Sequence, residues 1–286
     1  MDQGQATDTR RYEIDALRVI ALVLLIIYHI FICYQSFAER IGFLQYDQSL
    51  EKYWFLGELL NIWRIPVLFV VSGMAVGFVV HRRTLPELLK DRLVRLVPPL
   101  LFGALVMVPL FALFGPLYRG EPLKYQPSPG HLWFVVNLVS YSILLIPLFF
   151  WIRRRPENGL IRSLRALFPW GLLLVFPLPL MVETALLKPF GFAFFPTRFW
   201  YGLACYVLGF LLVCVGDSFW SALRRVCHPA LALAFLFYLG RMKVLGEGWF
   251  PDGQWIVAYE SGMWMLAFLG YGSLLLNRKT RVFGYF

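Results

Sequence analysis

Apolar residues in this chain recur in blocks of about twenty, the length of α-helix that crosses the ~30 Å hydrocarbon core of a bilayer. Eight blocks stand out: Ala16 to Tyr34, Gly57 to Val80, Leu96 to Phe114, Leu132 to Ile152, Leu167 to Leu187, Phe199 to Val215, Val226 to Leu239 and Trp255 to Leu276. None alternates strictly between apolar and polar residues, which excludes the lipid-facing strands of a barrel. Hydrophobic residues make up 59% of the 286 and charged ones only 15%, against ~45–50% apolar in soluble domains. That balance excludes disorder, and a mean hydropathy of +0.64 leaves too little polar surface to cover a water-soluble fold. The expected fold class is all-α: a polytopic transmembrane helix bundle of about eight spans, forming a single domain over residues 1–286.

A net charge of +10 would suit nucleic acid if the basic residues gathered on one face. They fall instead between the apolar blocks. Alternate connections carry Arg10 and Arg11, then Arg82, Arg83, Lys90, Arg92 and Arg95, then Arg153, Arg154, Arg155, Arg162 and Arg165, then Arg224 and Arg225, and finally Arg278, Lys279 and Arg281. These are seventeen of the 27 Lys and Arg residues, against eight in the opposite connections. The richer set faces the cytoplasm, so both ends of the chain are expected inside a cell inner membrane, with no nucleic-acid partner. The polar stretch Met1 to Arg11 does not lead into a secretory signal, because Cys33-Tyr34-Gln35-Ser36-Phe37 lacks the small-residue cleavage pattern. Cys33, Cys205, Cys214 and Cys227 show neither CxxC spacing nor a histidine cluster, so they read as packing residues and no metal is expected. Prolines at Pro66, Pro98-Pro99, Pro147 and Pro177 to Pro179 are expected to break spans, which lipid tolerates only where protein or a wet cavity rescues the backbone.

Ionisable side chains inside hydrocarbon cost ~2.5–3.5 kcal/mol or more each, which makes those within the spans the first functional candidates. Arg18 and His29 lie in the first span, Glu58 and Arg64 in the second, and Glu183 in the fifth. Eleven residues bring Arg18 and His29 back within ~20° of one helix face, ~16 Å apart along the axis. Asp15, three residues before Arg18, is placed to pair with it. A cation at the inner mouth and a deep imidazole suggest an anionic ligand entering from the cytoplasm, with His29 as general base. The alternative is a histidine that only bonds neighbouring helices.

Arg92 and Arg95 share one helix face on the cytoplasmic side, a pairing that suits a phosphorylated donor, although an RxxR taken alone reads first as a basic loop touching anionic lipid headgroups. Arg64 lies near the depth of His29; it can steady an oxyanion from a shared cavity wall, pair with Glu58 or snorkel outward. Gly73 and Gly77 form a GxxxG spacing that reads as close helix packing. His131 and Trp133 open the fourth span on the outer side, where a histidine and an indole suit stacking on a sugar ring or a plain aromatic belt.

Together these segments resemble the acyltransferase-3 family of integral membrane acyltransferases. The run Arg11 to Ala21 ending in His29 resembles that family's first helix, and Arg18 with His29 meets its Arg-X10-His pattern. Pro66 to Gly77 looks like its "PxLFxxSGM" helix, Lys90 to Gly103 like its RxxR segment, and His131-Leu132-Trp133-Phe134 like its "HLWF" element. The wording is nearest the branch of glucan-modifying and succinyl-transferring proteins.

The resemblance implies a transferase that takes an acyl group from cytoplasmic acyl-CoA, as co-substrate and not as a permanently bound cofactor, and gives it to a hydroxyl of a carbohydrate or glycan. It implies that His29 is the catalytic base, Arg18 its partner, and Arg92 and Arg95 the contacts for the CoA phosphates. Arg64, His131 and Trp133 fall in matching segments. Family members continue for about two further helices, so the chain is expected to lack two spans beyond Arg278 to Gly284. A reading from another class stays open: a transporter or flippase for an acylated or glycosylated molecule, to which broken helices and a midplane polar site are equally suited.

Overall fold

The computed structural model describes residues 11–41, 43–187, 198–243 and 253–276, and every regular element among them is helical. In chain order these are α1 (Tyr12–Ile32), α2 (Trp54–Asn61), α3 (Arg64–Val79), α4 (Leu85–Phe102), α5 (Val108–Arg119), α6 (Trp133–Leu144), α7 (Ile146–Arg154), α8 (Gly159–Ala166), α9 (Leu172–Val175), α10 (Leu178–Val182), α11 (Phe199–Val215), α12 (Asp217–Arg241) and α13 (Gln254–Leu275). Short π-helical segments, Gly103–Met107 and Glu183–Leu187, follow α4 and α10, and a 3-10 turn, Gly130–Leu132, leads into α6. The basic residues Arg10, Lys188, Arg278, Lys279 and Arg281, and the stretch from Arg278 to Gly284, lie outside the described residues.

Each of the eight apolar blocks is occupied by helix, but not all equally. Four stretches are long and apolar enough to cross a membrane: Glu13–Ile32, Glu51–Val79, Leu85–Leu117 and Asp217–Arg241. The pair α6 and α7, bent by 48°, makes a fifth if counted as one span. The seventh block is longer than its apolar core suggested, because α12 has 25 residues. The fifth block is divided between α9, α10 and the π segment that follows.

Local chemistry explains several boundaries. Thr84 and Glu87 form a reciprocal capping box that starts α4, and the Asn158 side chain accepts from the Ile161 N–H at 3.1 Å to start α8. Gly120, at φ 69°, ends α5 in the left-handed conformation that glycine adopts without strain. Pro147 sits in the first turn of α7, at the bend, and Pro66 in the first turn of α3. Pro98 and Pro99 depart from expectation: α4 runs through them unbroken. Lacking an N–H, they withhold the helical bonds to the Val94 and Arg95 carbonyls, at the end of the stretch that carries the basic residues Arg92 and Arg95.

The core is built on two close helix pairs. Along α3 and α11 the neighbours run Phe69 with Gly202, Gly73 with Tyr206 and Gly77 with Phe210, so the helices are parallel, and Gly209 sits against the Val70 backbone. The GxxxG of α3 therefore does lie in a packing seam. In the other pair, Gly270 of α13 rests on Cys227 of α12. By contrast α1 exposes Leu22, Val23, Ile26, Ile27 and Ile30, while α4 and α5 expose Leu101, Phe102, Leu110, Phe111 and Phe114. Such continuous apolar faces are stable against lipid tails and not against water.

Candidate active site

Helix α1 carries the two ends of the candidate site. At one end, the charges of Arg92 and Arg95 both act on Arg18, so the three predicted cations are brought together from α1 and α4. Two carboxylates moderate the repulsion. Arg18 meets Asp15 at 3.6 Å, the pairing its spacing anticipated, and Asp91 binds Arg95 at 3.0 Å and Arg83 at 3.2 Å. The RxxR pair is not equivalent in its surroundings. The Arg95 side chain is 70% exposed, whereas the Nε of Arg92 is buried and without a partner. Elsewhere outside the spans, burial and the charge of Arg153 push the His81 imidazole down, and Arg165 holds the Glu157 carboxyl below its usual range at 3.0 Å.

Eleven residues along the helix, ~16 Å away, His29 is half-buried. The chain after α1 folds back over it. Tyr46 N–H donates to Cys33 O at 2.7 Å, Leu50 N–H to Tyr34 O at 2.9 Å, and this loop lays Phe43 on the imidazole with ring centres 5.5 Å apart and planes 20° from parallel. Phe43 also lines an apolar groove of about 710 Å³ between the loop and the α4–α5 arm. Gly130 and Leu132 line the same groove, so the turn bearing His131 lies on its wall. The side chain of His131 lies outside the described part. Trp133, next in line, turns towards Phe69 of α3, 6.3 Å between centres.

Arg64 turns inward. Its guanidinium lies over the Tyr28 ring and donates to Asn61 O at 2.8 Å and to Asn61 Oδ1 at 3.0 Å, while Tyr28 donates to the same Oδ1 at 3.0 Å. Only 6% of the residue is exposed, and its Nε is buried without a partner. Of the three arrangements open to Arg64, snorkelling outward is therefore excluded. Glu58 bonds Arg241 at 2.8 Å and the Trp54 indole at 2.8 Å.

Sequence reasoning missed the partner that makes this possible. Glu260, fully buried in α13, binds Arg241 through both carboxylate oxygens, at 2.8 and 3.2 Å. A lone carboxylate within the apolar run Trp255 to Leu276 was the available signal, since a charge buried there must be paired. The Glu58–Arg241–Glu260 group joins α2, α12 and α13 beside the Tyr28–Asn61–Arg64 group. Chemically, the arrangement offers a cluster of guanidiniums for an anion at one end of α1 and a proton acceptor beside an apolar groove at the other.

A family model described as an acyltransferase domain matches residues 11–284. Glucans biosynthesis protein C from Salmonella paratyphi B, Salmonella dublin and Salmonella enteritidis PT4 is in each case 24% identical over 309 aligned positions, covering 97% of this chain and 78% of the relative. No solved structure matches.

Proposed function

The chain belongs to the acyltransferase-3 family, and on that premise we propose that it moves an acyl group from cytoplasmic acyl-CoA to a hydroxyl of a carbohydrate or glycan at or across the bilayer. The observation that carries this reading is the division of α1: guanidiniums cluster at Arg18, and the imidazole sits beside a groove eleven residues away. A donor whose phosphates are remote from its reacting carbonyl fits that separation. Arg18, Arg92 and Arg95 hold the phosphates, and the thioester reaches His29. The acceptor hydroxyl attacks the thioester carbonyl while His29 takes its proton. The C–S bond then breaks, and the departing thiolate takes the proton back from the imidazole. Arg64 lends a buried positive charge to the oxyanion end, and His131 and Trp133 contact the sugar. The relatives named for glucan biosynthesis support a glucan-like acceptor.

The bundle is read as eight crossings of the inner membrane, with the basic connections and both chain ends on the cytoplasmic side. Purified protein in nanodiscs, given radiolabelled acyl-CoA and glucan acceptors, tests the chemistry. His29→Ala is expected to lower transfer by about 100-fold or more with thermal unfolding unchanged. Undiminished transfer removes His29 from the mechanism. A wild-type protein that leaves the thioester intact while moving the acceptor across the bilayer is a transporter.

A further inference from the structure

The groove beside Phe43 offers almost nothing to a polar ligand. Phe102, Met107 and Phe111 line it from the α4–α5 arm and Leu44 from the loop after α1, while Leu132 closes against α4 where Gly103 has no side chain. The π segment Gly103–Met107 takes this wall out of the ordinary helical ladder. Two of its carbonyls are occupied from outside: Ala104 O accepts the Ser128 N–H at 3.2 Å, and Leu105 O accepts the Tyr125 hydroxyl at 2.6 Å. Among the described lining residues the exposed Glu39 carboxylate is the one charge, and none is a cation. The volume, about 710 Å³, lies within the ~300–1,000 Å³ usual for small-molecule sites.

Such a lining favours hydrocarbon, which gains by leaving water, and opposes an anion twice over, through desolvation without a counter-charge and through repulsion by Glu39. The guanidiniums that could neutralise an anion are elsewhere: one cluster gathers at Arg18, ~16 Å along α1 from His29, and Arg64 is turned to Tyr28 and Asn61. The groove is nevertheless continuous with the candidate base, because Phe43 both lines it and stacks on the His29 ring.

We infer that this groove receives the acyl chain of the donor, and that the group transferred is an unfunctionalised aliphatic chain, not a short dicarboxylic acyl such as succinyl. Assigning the chain to the donor rests on the proposed function. The step itself is unchanged: the acceptor oxygen bonds the acyl carbon, the thioester C–S bond breaks, and the hydroxyl proton passes through His29 to the CoA thiolate.

Photolabelling of the full chain in nanodiscs, with a palmitoyl-CoA analogue bearing a diazirine at the chain end, reads occupancy without turnover. Label is expected between Phe102 and Pro116, displaced by palmitoyl-CoA at concentrations on the order of 100-fold lower than succinyl-CoA requires. No label there, or equal displacement by the two, overturns the inference. Label displaced by a polyprenyl phosphate and not by palmitoyl-CoA gives the groove to a lipid-linked acceptor, and label displaced by neither gives it to bilayer lipid; both also overturn it. Kinetics from acetyl- to palmitoyl-CoA then read specificity, with kcat/KM expected to rise about 2- to 4-fold per added methylene until the groove is full. Ala112→Trp, which narrows the groove from α5, is expected to flatten that rise, read as the palmitoyl-to-acetyl ratio within the variant. A wild-type profile that peaks at acetyl or succinyl overturns the inference. If palmitoyl-CoA displaces the label as expected and no thioester is consumed, the acyl-transfer reading fails and the chain-binding groove stands.

Discussion

The guanidinium of Arg64 stands 3.3 Å from the centre of the Tyr28 ring, so the residue next to His29 on α1 is clamped by a buried cation from α3. Tyr28 in turn meets the imidazole edge-on, with ring centres 6.0 Å apart. His29 thus has Phe43 on its face and a fixed tyrosine at its side, and the orientation of α1 near the imidazole depends on a charge two helices further along the chain.

Two substitutions at Tyr28 separate the ring from the hydroxyl. Tyr28→Phe keeps the face under Arg64 and loses the bond to Asn61, at a cost of about 1 kcal/mol. Tyr28→Leu removes the face as well and adds about 2 kcal/mol, the value of a desolvated cation–π contact. Unfolding in detergent measures both; equal losses would mean that the ring face does not hold the guanidinium.

Arg241 and Glu58 differ in what their loss leaves behind. Arg241→Ala strands the fully buried Glu260 carboxylate and is expected to cost about 3–5 kcal/mol. Glu58→Gln leaves Arg241 still bound to Glu260, and Glu58 is partly exposed, so about 1 kcal/mol is expected. Chemical denaturation should rank them in that order, and a reversed ranking would contradict the assigned geometry.

Gly73 tests the α3–α11 seam. A Cβ there would collide with the Tyr206 carbonyl oxygen, which is backbone and cannot move aside. Gly73→Ala should lower stability by more than about 3 kcal/mol or abolish folded yield. Gly159→Ala, with open space at the new carbon, should be neutral or stabilise by up to about 1 kcal/mol. Fluorescence-detected size exclusion after heating reads both.

The Glu157–Arg165 pair predicts an acid-side pH dependence. Arg165 lowers the folded-state pKa of Glu157, so the pair's contribution is complete above the unfolded value of about 4.3 and fades as pH falls through the lowered folded value. The melting temperatures of wild type and Glu157→Gln should therefore differ at pH 7 and converge in strong acid. A constant gap across that range would show that the carboxylate charge is not responsible.

Much of this architecture is legible in the residue order. The apolar blocks are all helical, Asp15 pairs with Arg18 at the spacing that placed it, and Gly73 and Gly77 lie where two helices approach. Those features repeat within a few residues, and helix geometry converts such spacing directly into neighbourhood. Other relationships span too much chain. Glu58 meets Arg241 across 183 positions, and Phe43 reaches His29 only because a loop without periodicity folds back on α1.

Residue order by itself determined that this chain is a helical membrane protein of the acyltransferase-3 family and that Arg18 and His29 share a stripe of one helix. The tertiary structure decided what surrounds each of them: Phe43 over the imidazole, Arg92 turned inward while Arg95 stays exposed, and Arg64 committed to Tyr28 and Asn61. Hydrophobic length and helical period are local quantities, summed over neighbours in sequence. The partner of a buried charge is settled only when distant helices compete to desolvate and pair it, and that competition has no signature in local order.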